Sequence, residues 1–120
     1  MLNRTDLEIL WTLKFLSKSL TKSEIVSNND RLIFNDLFRM RLLFLKYNGF
    51  VEMESVQDYG VHYIIKKKSL DLIWSDNTRH NLLNLIQIGD FTFDEIMHFV
   101  DDTAEDVNSE LRLMESCDSP

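Results

Sequence analysis

Proline is almost missing from this 120-residue chain, with Pro120 as its one example, and glycine occurs only three times. So few turn formers disfavour a many-turned β sandwich and favour helices. Cysteine is equally scarce. Cys117 stands alone, which rules out an intramolecular disulfide and leads us to expect a reducing, cytoplasmic setting. No run approaches the roughly 18 uninterrupted apolar residues that a bilayer-spanning helix requires. The first residues, MLNRTDLEILW, carry acids early and offer no small-residue cleavage site, so a secretory leader is not expected. Three glycines are too few for a phosphate-cradling loop. The histidines, His62, His80 and His98, are not at a spacing typical of zinc sites, and Asp94, Glu95, Asp101 and Asp102 lack the calcium-loop pattern. No catalytic constellation stands out. The expectation is a protein that is not an enzyme and holds no metal or cofactor.

What is present is core-forming mass. Hydrophobic residues make up 44%, and eight Phe, two Trp and three Tyr supply enough aromatic volume for a folded domain without a staple. The net charge of −7 conceals an uneven distribution. Residues 1–68 hold 11 Lys and Arg against 8 Asp and Glu, a balance of +3; residues 69–120 hold 2 against 12, a balance of −10. The first half can approach a polyanion, and the second is repelled by one.

In the first half, Thr5 is placed to cap a helix over 6–19, with Ile9, Leu13, Leu16 and Leu20 along one face. Thr21-Lys22-Ser23-Glu24 has the form of a capping box, opening a short helix over 22–27. Asn28-Asn29-Asp30 reads as a turn. A longer helix is expected over 31–47, its buried stripe being Ile33, Leu37, Met40 and Phe44, with Gly49 as the left-handed residue that ends it. Two β-prone runs, 50–54 and 61–66, flank Gln57-Asp58-Tyr59-Gly60 and predict a hairpin.

The segment Leu20-Thr21-Lys22-Ser23-Glu24-Ile25-Val26, followed by Lys46-Tyr47-Asn48-Gly49-Phe50-Val51-Glu52, resembles winged helix-turn-helix transcription regulators. The likeness covers about half the chain and identifies a superfamily. It implies that the third helix enters the DNA major groove and that the hairpin lies against the phosphate backbone as a wing. It also implies that Arg31, Asn35 and Arg39 read bases and phosphates, with Lys66, Lys67 and Lys68 at the base of the wing. The chemistry is suitable: Arg binds guanine bidentately, Asn binds adenine, and Lys22 with the 66–68 run is placed for phosphate. On a continuous helix these three would share one face. Against this stands a second apolar stripe, Phe34, Phe38, Leu42 and Leu45. It needs cover, either from the second half of the chain or from a dimer or partner interface.

The second half predicts a short helix over 69–75, another over 78–88, and then Phe91-Thr92-Phe93-Asp94-Glu95-Ile96, which matches 20–25 at a constant offset of 71. Thr103 is placed to cap a last helix from Ala104 to about Ser116. This reads as a second, wingless helix-turn-helix, although capping chemistry alone can produce so short a match. Its acidic face, Glu105, Asp106, Glu110 and Glu115, would repel phosphate. The expected architecture is therefore mainly α with a small β-hairpin (α+β). A winged helix over 1–68 is followed by an acidic, helix-turn-helix-like module over 69–120, packed on the first. The expected function is a DNA-binding regulator of the bacterial, plasmid or phage kind that binds duplex DNA as a homodimer. The alternative is a tandem winged-helix adaptor or inhibitor that binds a protein partner and not DNA. Neither involves a membrane. The missing second wing also raises the idea that the chain is part of a longer one.

Overall fold

The computed structural model describes residues 1–118, with side chains through Ser116; the Cys117 thiol and Pro120 lie outside that set. The order of elements is α1 (Arg4–Leu16), α2 (Lys22–Ser27), α3 (Asp36–Tyr47), β1 (Val51–Val56), β2 (Gly60–Ile65), α4 (Lys67–Ile73), α5 (Thr78–Ile88), α6 (Phe93–Phe99) and α7 (Ala104–Asp118). The fold is mainly α with one antiparallel hairpin, an α+β arrangement. Three helices followed by a hairpin are compatible with a winged helix. The chain divides into two compact units, Met1–Leu70 and Asp71–Pro120.

In the first unit, α1 starts earlier than expected. Asn3, not Thr5, is the N-cap, because Asn3 and Asp6 exchange the two bonds of a capping box: Asp6 N–H to Asn3 Oδ1 at 3.0 Å and Asn3 N–H to Asp6 Oδ2 at 2.8 Å. Ser17, at φ 53°, turns the chain out of the helix. Leu20 is buried as expected, but from outside the helix. It forms a β-bridge with Tyr63, through N–H to O bonds of 3.0 and 2.7 Å, that ties the start of α2 to the hairpin.

The α2 capping box forms as read, Thr21 and Glu24 bonding reciprocally at 2.9 and 3.2 Å. α3 begins five residues later than expected. Asn29 is the cause: its side-chain oxygen accepts from Arg31 N–H at 2.9 Å, and its amide donates to Glu8 Oε1 at 3.1 Å and to Thr12 Oγ1 at 2.9 Å. The buried Asn29 therefore pins 29–31 to α1 as a turn. Asn35 then caps α3, accepting from Phe38 N–H at 3.0 Å. At the far end Gly49, with φ of 77°, supplies the left-handed residue expected there.

The hairpin runs from Val51↔Ile65 to Val56↔Gly60, and Asp58 and Gly60 both take positive φ in its turn. Pleating places Val51, Met53 and Ser55 beside Ile65, Tyr63 and Val61 on one face. Val51 and Tyr63 are buried there.

In the second unit, α5, α6 and α7 repeat the order helix, capping box, helix, turn, helix. Thr92 and Glu95 exchange 2.9 and 3.2 Å bonds, and Thr103 Oγ1 accepts from Asp106 N–H at 3.1 Å. Leu82, Leu85, Ile96, Phe99 and Val107 are buried. Asn81, fully buried, holds the unit's loops by accepting from Ser75 Oγ at 2.7 Å and donating to Asp102 Oδ2 at 3.2 Å. No helix among the described residues is long and apolar enough to cross a membrane.

Candidate interaction surface

α3 carries two apolar stripes, and the structure assigns them opposite roles from those expected. Phe38, Leu42 and Leu45 are at most 1% exposed and pack in the core, where α3 meets α1 and β1. They are not a flank open to a partner. Only Phe34, 39% exposed and just before the helix, remains at the surface. The stripe read as core is turned to water instead: Ile33 is 70% exposed, Leu37 53% and Met40 66%, with Phe44 half-buried. Leu43 and Tyr47, 49% and 78% exposed, extend it along the helix.

One ion pair fastens α3 to α1. Arg41 grips the buried Asp6 carboxylate with both arms, Nε to Oδ1 at 2.8 Å and Nη2 to Oδ2 at 2.5 Å, and Nη2 also donates to Met1 O at 2.9 Å. Arg41 lies between the two stripes, and the packing of 38, 42 and 45 where α3 meets α1 and β1 leaves 37, 40, 43 and 47 outside. The Asp6 hydrogen bond raises the Arg41 pKa above its ordinary value.

Beside the outward stripe lies an open groove of about 510 Å³. Its floor and walls are Phe34, Leu43, Met53, Val61 and Tyr63, and its polar edge is Thr21, Lys22, Ser23 and Lys46. Among the described residues no carboxylate lines it. Lys46 sits 5.2 Å from the Tyr47 ring, and neither it nor Lys22 makes an ion pair among the described residues. Tyr63 forms the deep end, where burial pushes its phenol pKa up.

The residues expected to read DNA are not brought together on one helix face. Arg31 lies in the turn before α3, its guanidinium 3.7 Å from Glu8. The Asn35 side chain is used as the α3 cap. Arg39 is on the helix but is paired with Asp36 at 3.0 Å and stacked 4.7 Å over Phe34. Lys68 donates to Asn48 O at 2.6 Å and lies over the Phe50 ring, closing the end of α3. Lys66, Lys67 and Lys22 make no ion pair among the described residues.

The hairpin carries charge of the opposite sign from its expected use. Between Val51 and Ile65 stand Glu52, Glu54 and Asp58, with no Lys or Arg. His62 lies on this hairpin with Nε2 4.0 Å from Glu24 Oε1, while its buried Nδ1 has no hydrogen-bond partner among the described residues. Hydrogen bonds from the Thr21 backbone N–H and then its hydroxyl, with His62 nearby, hold the Glu24 carboxyl below its usual range. Elsewhere, His80 Nε2 lies 2.9 Å from Asp71 O and His98 stacks edgewise on Phe99. No three His, Cys, Asp or Glu among the described residues are grouped to hold a metal ion.

Neither the groove nor the outward turn of the α3 stripe is legible in the sequence. The sequence does contain the acidic hairpin, which a charge count restricted to 51–65 exposes. No protein-family model matches the chain, and no curated protein matches it by sequence.

Proposed function

We propose that the chain is a non-enzymatic winged-helix interaction module of the cytoplasm whose α3 face docks another protein. The observation that carries this reading is the strip of Leu37, Met40, Leu43 and Tyr47, turned to water on the helix that the winged-helix likeness assigns to recognition. Base readout needs donors and acceptors along that face, whereas an apolar strip gains by being covered. The hairpin adds to this. Three carboxylates without a cation make a wing that repels a phosphate backbone. The repeated capping boxes support a tandem reading, in which the acidic second unit serves protein contact and not DNA.

Duplex DNA is the second reading, favoured by one observation: Lys22, Lys66 and Lys67 make no ion pair among the described residues. The two readings part in a salt titration. Docking predicts little binding of a generic duplex and no steep change between about 50 and 200 mM salt. If the protein instead binds with an affinity that collapses across that range, and Lys22→Glu with Lys67→Glu flattens the slope, the regulator reading replaces this one.

A further inference from the structure

The geometry points to the partner's chemistry: the groove between α2, α3 and the hairpin receives an acidic segment anchored by apolar side chains. This inference rests on the docking reading and narrows it. Five apolar groups, Phe34, Leu43, Met53, Val61 and Tyr63, offer a floor for large side chains. The ionisable groups on its rim are Lys22 and Lys46, both cationic, and its remaining polar edge is the neutral Thr21 and Ser23.

The charges that line this groove select by sign, since Glu52 and Glu54 alternate with Met53 to the opposite face of the hairpin and Asp58 sits in its turn. On α3, Asp36 is neutralised by Arg39 at 3.0 Å, and Arg41 is committed to Asp6. Lys46 is therefore the α3 charge left to a ligand, and Lys22 faces the same space from α2. Glu24 turns back to its own helix, with Oε1 accepting from Thr21 N–H at 2.9 Å. A basic segment would meet two cations with no compensating carboxylate in the groove. An acidic one would pair with both while its apolar side chains cover Leu43 and Met53. Charge complementarity of this kind governs which partner is accepted more than how much area is buried.

The test uses the full chain and two labelled amphipathic peptides of about 14 residues, roughly four helical turns. One carries Leu and Phe along a single face with Glu elsewhere; the other has Lys in place of every Glu. Anisotropy at low salt should show the acidic peptide bound about tenfold more tightly or better, equivalent to about 1.4 kcal/mol. Lys22→Glu with Lys46→Glu should reverse the order, and Met53→Ser should weaken the acidic peptide without reversing it. Circular dichroism checks that each variant is folded; for one that is not, Lys46→Gln, which should lower the preference, takes its place. Equal binding of the two peptides, no binding of either, or displacement of the bound peptide by duplex DNA overturns the proposal. So does self-association on sedimentation that the acidic peptide does not compete away, because the occupant is then a second copy. If charge reversal changes nothing while Met40→Ser and Leu43→Ser still abolish peptide binding, acidic selectivity falls and the docking reading stands.

Discussion

The Asp6 carboxylate accepts three hydrogen bonds at once, from the Asn3 backbone N–H and from both arms of Arg41, while fully buried. A buried carboxylate is tolerated only while it is paired, and stranding it is costly. Arg41→Met should therefore destabilise the first unit by about 3–5 kcal/mol. Adding Asp6→Asn, which keeps an acceptor for Asn3 and removes the charge, should recover more than half of that loss. Urea unfolding of the single and double variants checks both, and a double variant no better than Arg41→Met alone would contradict the account. Glu24 offers a milder, pH-dependent case. Its carboxyl is held below the ordinary 4.5 by its bonds to Thr21. A depressed acid contributes stability that is present above its unfolded pKa and is lost as pH falls through the folded value. Stability should thus decline on acidification below about pH 4.5. In Glu24→Gln that part of the decline should be absent, which chemical unfolding at stepped pH would reveal.

At the scale of elements, α3 shows what its residues could and could not announce. Asn35→Ala removes the cap and should cost about 1 kcal/mol, whereas Asn35→Asp should cost far less, because aspartate caps as well. Equal losses in the two variants, read from urea midpoints, would count against the cap. The capping boxes at Thr21 and Thr92, the hairpin and the Gly49 stop were legible because each depends on neighbours in sequence. The start of α3 was not, because Asn29 reaches 21 residues back to Glu8 to hold the preceding turn. Nor was the inward side of α3. Asp36, Arg39 and Lys46 on one side and Arg41 on the other leave two apolar stripes of equally good helical spacing. What distinguishes them is the packing of α3 on α1 and β1, which brings together residues far apart in the sequence. The groove escaped notice for the same reason, as it is assembled from α2, α3 and both strands.

At the scale of the whole chain, each unit carries a polar knot around a buried asparagine and its own tryptophan. Glu8, Thr12 and Asn29 knot the first, where Trp11 stacks on Phe15 at 5.0 Å. Thr78, Asn81 and Asp102 knot the second, where Trp74 Nε1 donates to Phe99 O at 2.6 Å. A side-chain amide removed from such a knot leaves its buried or half-buried partners unsatisfied, at about 1–3 kcal/mol where they are buried and less where they are not. Asn81→Ala should accordingly lower the unfolding midpoint reported by Trp74 more than the midpoint reported by Trp11. Asn29→Ala should do the reverse. Introducing each change into Trp11→Phe and Trp74→Phe backgrounds isolates one fluorescence signal at a time. Two knots acting locally give crossed shifts, the larger always at the tryptophan of the altered unit. If both tryptophans report identical midpoints in every variant, the chain melts as one cooperative body. The division into a basic unit bearing the groove and an acidic unit would then have no thermodynamic counterpart.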